Sequence, residues 1–181
     1  MDRRQRKTRT AIFRAFTALL ARKPFHRITV EEILTEADVG RATFYAHFET
    51  RDSLLQALCE ELFRHIFDAM ERPEAPPASL FQCQAPDSAF AHLFAHLERN
   101  DNQILQLLTG QNSTLFLPYF KEGLCKLASR SLSQFPPSQL PEDYRTEIIA
   151  ATFVQTLDWW LRQPQRLPAE AVTAYFMLAV A

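Results

Sequence analysis

Glycine, cysteine and long apolar runs are all scarce in this sequence, and each shortage excludes a class of protein. Only three of the 181 residues are glycine, and no glycine-rich loop that could cradle a phosphate is present. The three cysteines form no CxxC pair, which argues against a zinc ribbon or a disulfide framework and favours reduced thiols. No apolar stretch reaches the length of a membrane span, and no apolar region follows the charged N-terminus as in a signal peptide. We therefore expect a cytoplasmic protein without a membrane anchor.

Patterns typical of catalysis are also lacking. No Ser/His/Asp or Cys/His spacing and no paired-carboxylate motif stands out, so we expect no enzymatic activity. His92 and His96 have the i, i+4 spacing of helical metal ligands, but no third ligand is evident, and ordinary helical histidines are the favoured interpretation. We predict no metal site and no cofactor.

Positive charge is concentrated at the N-terminus. The first 27 residues contain nine Lys and Arg and one acidic residue, although the whole chain has a net charge of −1. This asymmetry predicts a polyanionic partner, with the alternative of a solvated, charged helix end. In the first interpretation, a basic arm follows DNA phosphates or enters the minor groove. The arm residues are Arg3, Arg4, Arg6 and Lys7, with Arg9 beside them.

Apolar residues at helical spacing, separated by proline-containing segments, predict an all-α protein. Pro73, Pro76 and Pro77 mark a linker or domain edge. The expected helices cover residues 2–21, 30–36, 41–47, 50–72, 88–99, 101–108, 115–134, 143–163 and 169–181.

Two short helices joined by a tight turn lie next to the basic segment. Thr29 stands three residues before Glu32, the spacing of a capping box that begins a helix. Asp38 lies in the turn and tolerates the left-handed conformation that such a turn often needs. The second short helix has a small or polar surface, as required for entry into the major groove of DNA. A helix-turn-helix is therefore predicted, with a small core of Val30, Ile33, Leu34, Val39, Phe44 and Phe48.

The segment ITVEEILTEADVGRATFYAHFETRDSLLQAL, residues 28–58, resembles the DNA-binding domain of the TetR family, and the resemblance extends over about residues 3–67. The stretch IIAATFVQTLDWWL is similar to a subgroup that includes regulators near dihydroxyacetone kinase genes. The resemblance implies an N-terminal three-helix helix-turn-helix DNA-binding domain at 1–67, which includes the start of the fourth helix. It also implies a C-terminal helical effector-binding and dimerisation domain at 68–181.

The resemblance also implies roles for matching positions. Arg41, with Ala42 and Thr43, lies at the start of the recognition helix, and we expect Arg41 to read a guanine. Contacts to phosphate are expected from Thr29, Thr43, Tyr45, His47 and Arg51. Gly40 stands where the family commonly has Ser or Asn, which removes one polar group from the DNA face. Asp38 stands where the family often has Gly.

Two sets of residues are expected to act in the C-terminal part. An apolar pocket for a small apolar or aromatic effector is assigned to Phe90, Phe94, Phe116, Phe120, Phe153 and Trp160, with the alternative that these side chains are core. The helix 143–163 is apolar nearly all round, which predicts contact with both its own core and a partner chain. The homodimer interface is assigned to Ile149, Phe153, Leu157, Tyr175 and Phe176.

These observations favour a ligand-responsive repressor that binds double-stranded DNA. A two-fold dimer would place its recognition helices about 34–36 Å apart on a palindromic operator. The alternative is a coactivator or adaptor of similar sequence that acts mainly through a protein partner.

Overall fold

The structure, a computed structural model, describes residues 3–71, 88–99, 103–109 and 113–181, and within these ranges it contains helices and no strand. The all-α prediction is thus confirmed, with helix ends that differ from the predicted ones by at most four residues. The helices are α1 (Arg3–Leu20), α2 (Val30–Ala37), α3 (Arg41–Tyr45), α4 (Arg51–Glu71), α5 (Ala89–Arg99), α6 (Ile104–Thr109), α7 (Ser113–Arg130), α8 (Glu142–Leu161) and α9 (Ala169–Ala179). Short 3-10 helices cover Phe25–Arg27 and Leu132–Gln134. The predicted linker prolines Pro73, Pro76 and Pro77, and Cys83, lie outside the described residues.

Helices α1, α2 and α3 pack around a core of aromatic and aliphatic side chains. Of the small core that the sequence predicts, Ile33, Phe44 and Phe48 are buried, and the remaining residues are partly buried against them. The apolar stripe of α1 supplies the opposite wall, through Ile12, Phe13, Phe16, Leu19 and Leu20. This core fixes the position of α3 on the surface of the domain.

Helix α4 joins this N-terminal unit to the remaining helices and packs against α5 and α7. It contacts α7 at Gly123, where a Cβ atom would lie 2.2 Å from the ring of Phe63. Only a glycine allows the two helices to approach so closely at this point. Among the described helices, none combines the length and the apolar character that crossing a membrane requires.

The aromatic side chains assigned to an effector pocket instead fill the core between α5, α7, α8 and α9. All six are fully buried or nearly so. Phe153 illustrates the packing, because its ring lies 4.3 Å from that of Phe94 and 5.5 Å from that of Phe176, measured between centroids. None of the six lines either of the two cavities described below. The pocket assignment is therefore corrected for Phe90, Phe94, Phe116, Phe120, Phe153 and Trp160, whose rings occupy the space themselves.

The residues assigned to the dimer interface also need correction. Ile149, Phe153, Leu157 and Phe176 are buried within their own chain, where a partner cannot reach them. Tyr175 is 51% exposed and remains available. The face of α8 that points outward is shifted by one residue from the face assigned to the interface. The assigned face is buried because it packs on α7 and α9.

Candidate nucleic-acid interface

The first helix of the motif begins at a complete capping box. The Thr29 N–H donates to Glu32 Oε2 at 2.8 Å, and the Glu32 N–H donates to Thr29 Oγ1 at 3.3 Å. The Lys23 ammonium also donates to the Glu32 carboxylate. This bond, followed by those from Thr29, lowers the pKa of Glu32 to about 2. The N–H and the hydroxyl of Thr29, which are its groups able to contact a phosphate, are thus engaged. A phosphate would have to replace the Glu32 carboxylate.

The turn between α2 and α3 is formed around Asp38. This residue adopts the left-handed conformation, with φ 52° and ψ 51°, as the sequence predicts. Its N–H donates back to the carbonyls of Leu34 and Thr35, and the Val39 N–H donates to the Leu34 carbonyl at 3.1 Å. These bonds satisfy the last carbonyls of α2 and end the helix, so that α3 can leave in a new direction.

The recognition helix α3 exposes the small and polar residues that the sequence assigns to DNA. Gly40 is its N-cap and supplies no side-chain hydrogen bond. Arg41, Ala42 and Thr43 are exposed, while Phe44 is fully buried beneath them. The Arg41 guanidinium lies 2.5 Å from the carboxylate of Glu31, measured from Nη2 to Oε2. To reach a base, Arg41 must leave this exposed ion pair.

Tyr45 and His47 follow on the same side of the motif. Tyr45 is 47% exposed and packs edge-on against Phe44, which leaves its hydroxyl outside the core. His47 is half-buried next to Phe48. Both side chains are positioned by the aromatic core of the motif.

Arg51 has a structural role that the sequence does not reveal. Its Nη1 donates to the carbonyls of Phe25, His26 and Ile28, at 3.2, 3.4 and 2.8 Å. Its guanidinium also lies over the Phe25 ring, 4.3 Å from the centroid. Arg51 thereby fastens the 3-10 helix before α2 to the start of α4. The other N–H groups of the guanidinium remain available for a phosphate contact.

Replacing Arg51 with Ala is expected to lower the free energy of unfolding by about 2–3 kcal/mol, because three carbonyls lose a charged donor and Phe25 loses its stacked cation. Arg51→Lys keeps the charge but cannot form the same planar fork, so about half of that loss is expected. Urea unfolding of both variants measures the effect, with Arg14→Ala as an exposed arginine control. An Arg51→Ala protein as stable as the control contradicts the structural role.

The basic N-terminal segment is the start of α1 and not an extended arm. Arg4, Arg6 and Lys7 are exposed, whereas the side chain of Arg3 lies outside the described residues. No acidic residue is present in the first turn of α1, so positive side chains add to the positive end of the helix dipole. The basic residues therefore lie within the helix that the sequence predicts, and their contact with DNA phosphates stays a prediction.

Arg9 differs from the other basic residues of this segment. Its guanidinium lies about midway between two rings, 5.0 Å from the centroid of Phe13 and 4.9 Å from that of Phe48. Its Nε is 3.4 Å from Glu61 Oε1 of α4. Arg9 therefore ties α1 and the end of the motif to α4, and the sequence offered no signal for this role.

The histidine pair on α5 has a neighbour that sequence analysis missed. His65 of α4 lies beside His92 and His96, with ring centroids 4.9 Å from each. Burial, followed by electrostatic interactions with His96 and His65, lowers the pKa of His92 to about 3, so its imidazole is neutral. A third imidazole, which the sequence did not reveal, therefore lies beside His92 and His96.

The cysteines give no sign of redox sensing in the described part of the chain. Burial raises the pKa of the Cys59 thiol well above its usual range. Burial, and then the nearby Glu147 carboxylate, raises the pKa of Cys125. A protonated thiol is a poor nucleophile, so both residues are expected to be inert towards oxidants.

Comparisons with known proteins point in the same direction as this geometry. Residues 11–58 match the family model for bacterial regulatory proteins of the tetR family. A solved structure of a TetR transcriptional regulator from Streptococcus agalactiae 2603V is 32% identical, with a TM-score of 0.71 over 99% of this chain and 96% of the other. The fold is also similar to that of the transcriptional regulator FadR from Bacillus subtilis, solved with stearoyl-CoA, at 17% identity, a TM-score of 0.59 and coverage of 94% and 96%.

A curated relative matches over a shorter stretch. YxbF of Bacillus subtilis (strain 168), described as an uncharacterized HTH-type transcriptional regulator, is 32% identical over 98 residues. The match covers 54% of this chain but only 25% of YxbF.

Proposed function

Because the chain belongs to the TetR family of DNA-binding transcriptional regulators, we propose that it is a repressor that binds a palindromic operator as a homodimer and leaves it when a small effector binds. The observation that carries the proposal is the exposed surface of α3, held by a buried Phe44 and bordered by the basic end of α1. We assign the DNA-binding domain to residues 1–67 and the effector-binding and dimerisation domain to 68–181.

Within this interface we propose that some residues contact bases and others contact phosphates. Arg41 reads a base, with Ala42 and Thr43 against neighbouring base edges or phosphates. Tyr45, His47 and the free donors of Arg51 position the protein on phosphates, as does the basic start of α1. Thr29 contributes mainly by beginning α2, since its N–H and hydroxyl are engaged in the capping box.

An apolar groove across α8 and α9 supports the dimer proposal. It has a volume of about 640 Å³ and is lined by Ala151, Thr152, Gln155, Thr156, Trp159, Tyr175 and Ala179. Ile148 and Leu178, at 44% and 76% exposure, extend the same apolar surface. Two such helix pairs related by a two-fold axis would form a four-helix interface. This face replaces the buried residues of the predicted interface.

A cleft between α4 and α7 is the proposed place for an effector. It has a volume of about 430 Å³, within the range of small-molecule sites, and is lined by both apolar and charged side chains. Phe63, Phe67 and Tyr119 give it an aromatic wall, which suits an apolar or aromatic ligand. The FadR structure, solved with stearoyl-CoA, illustrates that a protein of this fold holds a ligand. Because α4 also carries Arg51, a ligand here acts on the helix next to the motif.

The adaptor alternative rests on the segment IIAATFVQTLDWWL and its similarity to regulators near dihydroxyacetone kinase genes, which stays a prediction. The exposed α8–α9 face could equally accept a different protein. We favour DNA as the partner because the recognition helix keeps an exposed arginine and a small, polar surface.

Selection of bound duplexes from random DNA tests the function. We expect an inverted repeat whose half-sites lie about one helical turn apart, bound by two copies of the chain. Leu178→Glu places a charge on the proposed dimer face and should give a monomer with at least about tenfold weaker operator binding, corresponding to roughly 1.4 kcal/mol. Leu115→Glu makes the same change at an exposed site on α7 and serves as the control.

Sedimentation at micromolar concentration and binding titrations give the two readouts. A wild-type protein that binds no duplex at low salt contradicts the DNA-binding role. A dimer that persists in Leu178→Glu, with unchanged operator affinity, contradicts only the position of the interface.

A further inference from the structure

Three of the five histidines of the chain meet in the interior between α4 and α5. His65 comes from α4, and His92 and His96 come from successive turns of α5. These residues are 4%, 2% and 1% exposed, respectively. Each offers a ring nitrogen, and these nitrogens all lie within 4.8 Å of one another. Leucine or phenylalanine would fill the same space without bringing polar nitrogens into the core, so packing does not account for three imidazoles at one point.

From this juxtaposition we propose that His65, His92 and His96 form a transition-metal site that binds Zn²⁺ through three imidazoles, with a fourth position open to water or a small ligand. Neutral imidazole is a good ligand for zinc, and three protein ligands with one open position are typical of zinc sites that bind a further molecule. The inference goes beyond the proposed regulator function and does not depend on it.

The spacing of two of the nitrogens supports zinc. His92 Nε2 and His96 Nε2 are 3.2 Å apart. Two ligands of a tetrahedral zinc ion, each bound at about 2.0–2.1 Å, lie about 3.3 Å apart. The pair on α5 therefore already has the separation of one edge of the coordination tetrahedron. His65 completes the site by rotation of its ring towards this edge.

Arg99 sets the protonation pattern of the metal-free site. Its Nη2 lies 3.1 Å from His96 Nδ1, and a guanidinium can only donate, so Nδ1 is the acceptor. Because Nδ1 accepts, the ring proton of His96 lies on Nε2, which donates it to His92 Nε2. Zinc binding at His96 Nε2 moves that proton to Nδ1, because a ligating nitrogen must offer its lone pair. The Arg99 bond to Nδ1 is thereby broken, and the exposed Arg99 side chain turns away.

Arg99 therefore has a specific effect on metal affinity. In metal sites, the second ring nitrogen usually donates its N–H to an oxygen, and such partners change affinity about 10–100-fold. Arg99 opposes that arrangement, both as a donor and as a positive charge. Glutamine at this position would offer a carbonyl to the Nδ1–H. Arg99→Gln should therefore bind zinc about tenfold more tightly than the wild type.

The test uses the full chain, stripped of metal with a chelator and titrated with Zn²⁺ in competition with a chromophoric chelator. We expect one zinc per chain in the wild type and on the order of 100-fold weaker binding in His65→Leu. His26→Ala removes an exposed histidine and is the matched control, with wild-type affinity expected. Co²⁺ serves as a second probe, since a tetrahedral site gives visible absorption bands that His65→Leu should abolish.

A measurement on the wild type alone covers the case in which a histidine variant fails to fold. Zinc should shift the imidazole ¹⁵N resonances of His65, His92 and His96 and leave those of His26 and His47 unchanged. Zinc affinity that is equal in wild type and His65→Leu, or resonance shifts confined to His26 and His47, overturns the proposal. Weaker zinc binding by Arg99→Gln overturns the role given to Arg99. These outcomes are independent of DNA binding.

Discussion

Replacing Phe153 with alanine should lower the free energy of unfolding by about 3–5 kcal/mol, the usual cost of deleting a buried aromatic ring. Phe153 is fully buried and its ring contacts those of Phe90, Phe94, Phe120 and Phe176. The cavity left by the ring cannot collapse easily, because the neighbouring rings are held on three other helices, α5, α7 and α9. Phe153→Leu keeps most of the volume and should cost about 1 kcal/mol.

Chemical unfolding at one fixed protein concentration measures this loss, since the proposed dimerisation would make stability depend on concentration. Leu115→Ala, at an exposed position on α7, is the control and should change stability by less than about 0.5 kcal/mol. If Phe153 instead bordered an effector pocket, its removal would change ligand affinity while costing little stability. A loss below about 1 kcal/mol contradicts the core assignment.

Replacing Arg41 with alanine should weaken binding to the selected operator by about 10–100-fold, since a bidentate arginine contact is worth roughly 1–3 kcal/mol of base discrimination. Affinity for random duplex should change little, so specificity falls with affinity. Arg162→Ala removes the same charge from an exposed site near the end of α8 and is the control. Equal losses of affinity for operator and random DNA would show that Arg41 contacts a phosphate and not a base.

The pairing of Arg41 with Glu31 refines this prediction. An exposed ion pair contributes about 0.2–1 kcal/mol, and DNA binding must break it. Glu31→Gln should therefore strengthen operator binding by up to about fivefold while keeping the selected sequence unchanged. An altered sequence preference in Glu31→Gln would mean that Glu31 itself faces a base.

The helix-turn-helix was predictable because its signals are local. The capping box joins Thr29 and Glu32 three residues apart, and the left-handed turn needs only Asp38. Hydrophobic periodicity then fixes which side of each short helix is buried. The same local signals placed Arg41 and Tyr45 on the exposed face, where the structure has them.

Roles that depend on distant residues could not be predicted. The structural role of Arg51 was missed because the sequence does not show that the Phe25 and Ile28 carbonyls lie within its reach. Many residues separate His65 from His92 in the sequence, so no local spacing pattern indicates their contact. The aromatic residues of α5 and α8 were equally compatible with a pocket wall and with a core, and only packing separates these alternatives.

Gly123 has a consequence for the shape of the cleft that we propose as an effector site. The same residue that lets α4 and α7 approach each other also lines that cleft, together with Phe63. A methyl group on Gly123 would displace the Phe63 ring. Because the cleft borders this ring, the displaced ring would occupy part of the cleft. The absence of a side chain at Gly123 thus contributes to the volume of the proposed ligand site, and one substitution there would change the size of the ligand that the site accepts without altering a residue of the proposed DNA-binding surface.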